Sequence, residues 1–372
     1  MTVRLHWFLP TNGDSRTDLS LGDAVSAVSG SAGSRATSPV TNRPPTLEYL
    51  GQIARAAEQL GFDAALTPTS SACEDAWVTT AALSQEARRL RYLVAFRPGV
   101  LSPTLAAQMA ATYQRVTGGR LLLNVVTGGE DVEQRRFGDA LDKDARYART
   151  GEFLHVLRAL FTGEPVTFHG RHLWVEGAVL PGELHRPDIY FGGSSAAAID
   201  VAAQHSDVYL TWGEPPEQVT EKLDRVRLAA ARYDRSPRFG IRLHVIARPT
   251  AEEAWQVADR LLAGLDPAQV ATAQAAQSGA QSEGQRRMTA LHGGRLDHLE
   301  IYPNLWAGIG LVRGGAGTAL VGSYGDVADR IGEYHALGLE EFILSGYPHL
   351  EEAYHVGEGV RPALAARGLL AG

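Results

Sequence analysis

The sequence predicts an α/β fold in which one domain over residues 1–372 forms a closed (β/α)8 barrel of the TIM type. Short runs rich in β-branched and aromatic residues alternate with longer segments of helical period along the whole chain, as in βα units around a parallel sheet. The chain also lacks a Gly-x-Gly-x-x-Gly sequence after its first run, which an open, doubly wound sheet would more often contain. Its 372 residues are an ordinary length for one barrel.

Eight runs are predicted as strands, each followed by a helix. In chain order the predicted strands are Val3–Phe8, Asp63–Thr67, Arg91–Phe96, Leu121–Val126, Asp188–Phe191, Val208–Thr211, Gly240–Ala247 and Glu341–Ser345. Between the strands apolar residues recur at helical spacing, for example at Leu47, Leu50, Ile53, Ala57 and Leu60 after the first strand. Eight such pairs favour a closed barrel over an open sheet.

Two segments interrupt the alternation and are predicted to be insertions. Ser15–Pro45 is rich in Ser, Ala, Gly and Thr, which is typical of a long mobile loop. Residues 267–320, between strands seven and eight, contain a predicted helix pair and then five glycines within Gly308–Gly317. Because glycine-rich backbone changes conformation easily, this second insertion is a candidate lid over the barrel mouth. Arg313 would belong to that lid, or would only anchor the loop to a surface carboxylate.

Composition excludes several classes of protein. Hydrophobic residues make up 44% and charged residues 21%, which is ordinary for a globular chain. The formal net charge of −7 disfavours binding to nucleic acid or an acidic membrane surface. The single cysteine rules out an internal disulfide and a four-cysteine zinc site. No run of 18 apolar residues and no basic leader occurs, so we expect a soluble, cytoplasmic protein.

The candidate site consists of polar and aromatic residues at the C-terminal strand ends, where such barrels build their active sites. These side chains suit a ligand that has an anionic group and a flat ring. They are Thr67, Thr69, Arg97, Asn124, Thr127, Gly128, Ser194, Ser195, Trp212, Arg242, His244, Tyr347 and His349.

Two of these strand ends carry more specific patterns. Two glycines precede Ser194 and Ser195 at a predicted helix start, where backbone N–H groups could hold a phosphate; alternatively, the glycines only form a tight turn and a serine only caps the helix. Arg242 and His244 alternate on one strand and therefore share a face. If that face is the barrel interior, both side chains meet one ligand.

Other catalytic chemistries have little support. No His-Glu-x-x-His spacing occurs, so no metal site is expected. Cys73 stands at a predicted helix start, which lowers a thiol pKa, but Glu74 and Asp75 oppose that effect. The alternative, which the sequence favours, is that Cys73 is only a small residue near the pocket or in the core.

Eight longer strings then point to one family. They are Phe8–Asp14, Cys73–Trp77, Asn124–Gly128, Tyr190–Ser195, Tyr209–Pro216, Phe239–Val245, Pro303–Gly322 and Ser345–Tyr354. Together they resemble the alkanesulfonate monooxygenases of the bacterial luciferase-like superfamily. The resemblance implies a two-component enzyme that receives reduced FMN from a separate NAD(P)H-dependent FMN reductase. With O2 as cosubstrate, such an enzyme splits the C–S bond of an alkanesulfonate and releases sulfite and an aldehyde.

The resemblance also implies a role for each candidate residue. The cofactor-binding set is Thr69, Asn124, Thr127, Tyr147, Ser194 and Ser195, in which Tyr147 and the serines match phosphate contacts. The substrate-binding set is Asn12, Trp212, Arg242, Arg313 and His349. The catalytic set is Cys73, Arg242, His244, Arg313 and Tyr347. The family commonly has histidine at the position of Asn12, so this chain lacks a titratable group there.

Alternatives to the alkanesulfonate activity remain open. Methanesulfonate, a sulfone or another small organosulfur compound would need nearly the same residues. A deazaflavin-dependent oxidoreductase and a non-catalytic flavin-binding protein are further alternatives. We expect a homo-oligomer, a dimer or a tetramer, without nucleic-acid or membrane partners.

Overall fold

Eight parallel strands close into a barrel, as the sequence predicts. The computed structural model describes residues 2–16, 19, 42–128, 131–278 and 281–370. The barrel strands are β1 (Arg4–Phe8), β2 (Ala64–Thr67), β3 (Arg91–Phe96), β4 (Leu121–Val125), β5 (Ile189–Gly192), β6 (Val208–Trp212), β7 (Arg238–Arg248) and β8 (Leu339–Ser345). Each strand pairs with the next in chain order, and β8 pairs with β1.

Helices follow every barrel strand and surround the sheet. They are α1 (Leu47–Gln59), α2 (Ala76–Leu83), α3 (Pro103–Thr117), α4 (Asp131–Arg136), α5 (Lys143–Leu160), α6 (Ala196–His205), α7 (Pro216–Ala231), α8 (Ala251–Ala263), α9 (Pro267–Ser278), α10 (Glu283–His292), α11 (Tyr324–Ala336), α12 (His349–Tyr354) and α13 (Arg361–Ala366). Many begin at a Ser, Thr or Asp whose side chain accepts a backbone N–H, the usual way to satisfy the first turn of a helix. In the described ranges none is long and apolar enough to cross a membrane.

The strands are buried on both faces, which explains their nearly continuous apolar sequences. Alternate side chains fill the barrel interior with one apolar cluster that includes Phe8, Leu66, Leu93, Leu122 and Ile343. The other face of each strand packs against the helices in a larger cluster. The interior is therefore a packed core, and space for a ligand remains only at the ends of the barrel.

A buried polar network closes the barrel at the N-terminal ends of the strands. Glu341 is fully buried and accepts hydrogen bonds from His6 Nε2 at 3.0 Å, from Arg238 Nη1 at 2.7 Å and from Tyr190 Oη. Burial by itself raises the pKa of Glu341, but the bond with His6 leads a set of favourable interactions that lower the pKa from 4.5 to about 2. Glu341 is therefore a carboxylate at neutral pH.

The insertion between β7 and β8 contains the predicted helix pair, α9 and α10, and a short additional sheet. The strand Ala319–Ser323 of this sheet pairs in parallel with residues 244–248 of β7. This pairing explains why β7 extends beyond the predicted Gly240–Ala247. Further strands at Glu300–Tyr302 and Leu305–Trp306 complete the sheet.

Most of the predicted loop Ser15–Pro45 lies outside the described residues. At its ends, Asp14–Ser15 pairs with Asn42–Arg43 in an antiparallel ribbon. Leu19, which is described, is fully buried in a cluster that includes Tyr347. A hairpin of Val166–His169 and Trp174–Ala178 is a further excursion, between α5 and β5.

Candidate functional site

A cavity of about 280 Å³ opens at the C-terminal ends of the barrel strands. Ten of the residues predicted from sequence line it: Thr69, Arg97, Asn124, Thr127, Gly128, Tyr147, Ser194, Ser195, Trp212 and Arg242. They come from six different strand ends and from α5. The barrel brings them together because parallel strands all point their carboxyl ends to the same face.

One end of the cavity lies at the start of α6. Ser195 is the N-cap of this helix, and its Oγ accepts the N–H of Ala198. Gly193 has a φ of +145°, and a Cβ there would lie 2.5 Å from the Cβ of Ala198. Only glycine fits this turn, which presents Ser194 and Ser195 to the cavity.

A second helix faces the same end of the cavity. Lys143 and Tyr147 lie four residues apart on α5 and both line the cavity, because residues at that spacing share a helix face. Burial raises the pKa of Tyr147, against the effect of its hydrogen bond with Ser195. This end therefore offers an ammonium group, three hydroxyls and a helix N-terminus, a combination that suits an anion. Lys143 is not among the residues predicted from the sequence, although its spacing from Tyr147 is a usable signal.

Arg242 also lines the cavity, so the face that it shares with His244 is the barrel interior. Its guanidinium carbon lies 4.6 Å from the ring centre of Phe8, which also lines the cavity. Nη1 donates to the carbonyl of Leu243 at 2.6 Å, and Nη2 donates to Ser345 Oγ at 2.8 Å. These bonds fix the orientation of a cation that is only 6% exposed.

Ser345 connects Arg242 to His244. The Nδ1 atom of His244 lies 2.8 Å from Ser345 Oγ, and its Nε2 atom lies 3.0 Å from the carbonyl oxygen of Ala316. A carbonyl only accepts, so Nε2 carries the proton and Nδ1 accepts from the serine hydroxyl. Burial, followed by the charge of Arg242, lowers the pKa of His244 well below 6.5. His244 is thus a neutral imidazole with both nitrogens bonded, and it does not line the cavity.

A buried cluster of Tyr347, Arg313 and His349 lies beside the hydrogen-bonded chain Arg242–Ser345–His244. The Tyr347 ring stacks on His244 with centroids 5.7 Å apart, and the Arg313 guanidinium carbon lies 5.2 Å from the Tyr347 ring centre. His349 contacts Tyr347 and Phe8 through its ring, at 5.3 and 5.6 Å. Arg313 is 1% exposed. None of the three is among the described residues that line the cavity, so they adjoin it and do not form its surface.

His349 has a buried carboxylate partner that the sequence argument missed. Asp14 accepts the backbone N–H of His349 at 2.8 Å, contacts its Nδ1 atom at 2.9 Å and accepts the hydroxyl of Tyr49 at 2.5 Å. Burial opposes ionisation of Asp14, but the charge of His349 and these bonds lower its pKa. An ionised Asp14 only accepts, so His349 Nδ1 carries a proton. No local signal links residues 14 and 349.

Asn12 and Cys73 lie apart from the cavity. They belong to the loops after β1 and β2, which are joined by a hydrogen bond from the N–H of Glu74 to the carbonyl of Thr11 at 2.9 Å. Cys73 is partly exposed, and neither residue is among the described lining residues.

Two buried ion pairs also border the cavity. Arg97 Nη2 lies 2.7 Å from Glu133 Oε2, while its Nε and Nη1 atoms have no hydrogen-bond partner in the part of the chain that the structure describes. Lys222 Nζ lies 2.9 Å from Glu214 Oε2, and burial lowers its pKa. Arg97 is one of the residues predicted at a strand end; the positions of the other three depend on the packing of α4 and α7.

The insertion between β7 and β8 covers the cavity. Ser282–Gln285, at the start of α10, and Gly315 with Ala316 line its outer side. Arg287 of α10 holds Glu214 through two bonds of 2.7 and 2.9 Å. The predicted lid segment Gly308–Gly317 is buried in this arrangement. The start of α10, one of the predicted helix pair within this candidate lid, therefore forms part of the cover.

The sequence profile of the luciferase-like monooxygenases matches residues 21–341, most of the chain. The chain belongs to the luciferase-like monooxygenase family. Within the described ranges, no cluster of three or more His, Cys, Asp or Glu side chains is placed to hold a metal ion.

Solved structures with the same fold carry different activities. One is a riboflavin lyase, solved with modified FMN and substrate riboflavin, at 18% identity and a TM-score of 0.78 over 100% of this chain and 93% of the other. Another is EDTA monooxygenase from Chelativorans sp. BNC1, at 19% identity and 0.77 over 100% and 95%. A third is an F420-dependent secondary alcohol dehydrogenase, solved with an F420-acetone adduct, at 16% identity and 0.68 over 98% and 99%. These structures share the fold with this chain, and at such identities they show the fold alone.

Proposed function

We propose that the protein is a two-component, FMN-dependent monooxygenase that desulfonates alkanesulfonates. The observation that carries the proposal is the composition of the cavity, which joins an anion-binding end to a wall that contains an oriented, buried guanidinium. Membership of the luciferase-like monooxygenase family supports the oxygenase chemistry. In the reaction the C–S bond breaks, sulfite leaves with its electron pair, and the carbon becomes an aldehyde. One oxygen atom of O2 enters that aldehyde, and the other becomes water.

The residues present fit FMN. The turn at Gly193 leaves no room for a Cβ and presents Ser194 and Ser195, beside Lys143 and Tyr147, to a phosphate. Toward the barrel axis, Thr127 Oγ1 is buried without a hydrogen-bond partner among the described residues, and a ring carbonyl or N–H would satisfy it. When bound, the reduced flavin supplies the electrons that activate O2.

Arg242 would bind the sulfonate. An arginine fork makes charge-assisted bonds to several oxygens of one anion, and the aromatic face of Phe8 holds this fork in place. The same cation stabilises negative charge that develops as sulfite leaves. Arginine keeps its proton because its pKa is above about 12, so Arg242 binds and orients but does not donate a proton.

Ser345 and His244 would hold Arg242 in its working orientation. Ser345 Oγ accepts from Arg242 and donates to neutral His244, whose other nitrogen donates to Ala316 in the insertion. The cover over the cavity therefore also fixes the tautomer of His244. By excluding bulk water, this cover strengthens the attraction between Arg242 and an anion.

The partners of the protein are part of the proposal. An NAD(P)H-dependent FMN reductase would supply the reduced flavin, and we propose a cytoplasmic homo-oligomer, a dimer or a tetramer. Light scattering of the purified protein would measure its assembly state.

The deciding experiment measures sulfite release from a panel of alkanesulfonates, methanesulfonate and sulfones, with a flavin reductase, NADH and FMN. We expect oxygen-dependent sulfite release from one or more alkanesulfonates. A parallel anaerobic titration compares reduced FMN with reduced deazaflavin. Tight binding of the deazaflavin alone, without sulfite release, would overturn the proposal in favour of hydride transfer.

A further inference from the structure

We infer that Glu283, on the helix that covers the cavity, weakens the binding of phosphate-bearing ligands and sets the preference between phosphorylated and neutral flavins. The inference rests on the proposed function, because it takes the end of the cavity near α6 as the phosphate site. It concerns a residue of the insertion that neither the family match nor the sequence argument singles out.

The position of Glu283 follows from the contacts of its neighbour. A Cβ on Gly284 would lie 3.0 Å from the ring of Trp212 and 3.6 Å from Ser194 Oγ. The first turn of α10 is thus seated directly on the residues that form the anion-binding end. Glu283 is the first residue of this helix and lines the cavity itself.

The negative charge of Glu283 is less well neutralised than that of the other carboxylate in the cavity wall. Among the described lining residues the acidic side chains are Glu133 and Glu283. Glu133 is buried and bonded to Arg97 at 2.7 Å. Glu283 is 31% exposed, and its cationic neighbour Arg225 lies 3.8 Å away. Its negative charge therefore acts on the cavity.

The charge of Glu283 changes the pKa of other residues that line the cavity. Burial raises the pKa of Tyr147, and the charge of Glu283 raises it further. Burial lowers the pKa of Lys222, and the negative charge of Glu283 acts in the opposite direction. A doubly charged phosphate between Tyr147 and Ser194 would be repelled by Glu283, whereas an uncharged hydroxyl would not be.

Such repulsion fits a flavin that is exchanged at each turnover. A helix N-terminus, an ammonium group and three hydroxyls attract a phosphate. A carboxylate mounted on the cover offsets part of this attraction, and phosphate binding then favours displacement of α10. Glu283 would thus lower the affinity for FMN and speed its release.

The test compares FMN with riboflavin, which differ only in the phosphate. Dissociation constants are measured by flavin fluorescence for the wild type, Glu283→Gln and Glu283→Lys. We expect Glu283→Gln to bind FMN about fivefold more tightly and riboflavin within about twofold of the wild type, with Glu283→Lys tighter still for FMN. The gain should shrink at high salt. Stopped-flow release of FMN should slow by the same factor.

Glu221→Gln is the matched control. Glu221 is exposed on α7, near Arg287, and does not line the cavity, so its removal changes net charge without changing the site. Equal shifts for both flavins in Glu283→Gln, or weaker FMN binding, would overturn the inference, because a structural role of Glu283 in seating α10 affects both ligands alike. A wild type that prefers FMN, with that preference unchanged in Glu283→Gln, overturns the inference alone. No preference for FMN in any variant overturns the phosphate site and the inference together.

Discussion

At the scale of single residues, the site depends on hydrogen bonds to groups that are charged or that become charged during the reaction. The two ends of the cavity differ in kind. Hydroxyls and Lys143 form the end near α6, whereas the wall at β7 contains a cation, Arg242, that is held by Phe8 and Ser345. Each end can therefore be weakened separately, and the two losses should affect different measured constants.

Removal of two hydroxyls tests the end near α6. Tyr147→Phe with Ser194→Ala should weaken anaerobic binding of reduced FMN by roughly ten- to a hundredfold, because a hydrogen bond to a charged oxygen is worth about 1.5–3 kcal/mol. Fluorescence titration gives the affinity. Tyr354→Phe, at an exposed tyrosine, is the control that should leave it unchanged. An unaltered affinity in the double variant would show that the phosphate lies elsewhere.

Ser345→Ala tests the part of the cavity wall that contains Arg242. Loss of the hydroxyl frees Arg242 from His244, so we expect sulfonate turnover to fall about tenfold or more while flavin affinity stays unchanged. Ser206→Ala removes an equally buried hydroxyl, which donates to the carbonyl of Ala202 in α6, and it should preserve turnover. If Ser345→Ala keeps wild-type kcat/KM, the hydrogen-bonded chain Arg242–Ser345–His244 has no part in catalysis.

At the scale of elements, the insertion between β7 and β8 decides whether the cavity is closed. Gln285 of α10 accepts the N–H of Gly315 at 2.8 Å, and Thr318 donates to the carbonyl of Gly213 at 2.6 Å. The glycine-rich segment is thus held between α10 and the barrel. Its opening requires these bonds to break together, which makes closure responsive to what fills the cavity.

Arg313→Lys tests the role of this segment as a lid. Because lysine lacks the planar fork, we expect most turnover to be lost while the fold and flavin binding are kept. Limited proteolysis of the wild type should show protection of Gly308–Gly317 only when flavin and sulfonate are both present. Arg286→Lys, at an exposed position on α10, is the control. Near-normal sulfite release from Arg313→Lys, without ligand-dependent protection, would contradict the lid.

At the scale of the whole molecule, the two ends of the barrel have separate tasks. The C-terminal end holds the cavity, and the N-terminal end is closed by Glu341 with His6, Tyr190 and Arg238. Buried polar groups are costly unless they are paired, and this carboxylate has a partner on three other strands. The network therefore ties the circumference of the barrel together.

Acid unfolding tests this network. The pKa of Glu341 is lowered from 4.5 to about 2, so its stabilisation is complete above pH 4.5 and is lost as the pH falls toward about 2. The shift corresponds to about 3 kcal/mol. Glu341→Gln should lower the free energy of urea unfolding at pH 7 by a similar amount and flatten its pH dependence in that window. Glu217→Gln, at an exposed glutamate, should do neither. A wild-type pH dependence in Glu341→Gln would exclude the network as its source.

The sequence by itself determined the barrel, its eight strands and many of the polar residues that line the cavity. These features follow from the spacing of hydrophobic residues and from the rule that the carboxyl ends of parallel strands meet at one face. Both can be recognised in short stretches of sequence. Only the tertiary structure decided that Arg242 is bonded through Ser345 to His244, that Asp14 holds His349, and that α10 covers the cavity. Asp14 and His349 are 335 residues apart, and the first turn of α10 reaches Trp212 only because the insertion folds back over the barrel. Such contacts depend on barrel closure and side-chain packing, which bring together residues whose local patterns carry no information about each other.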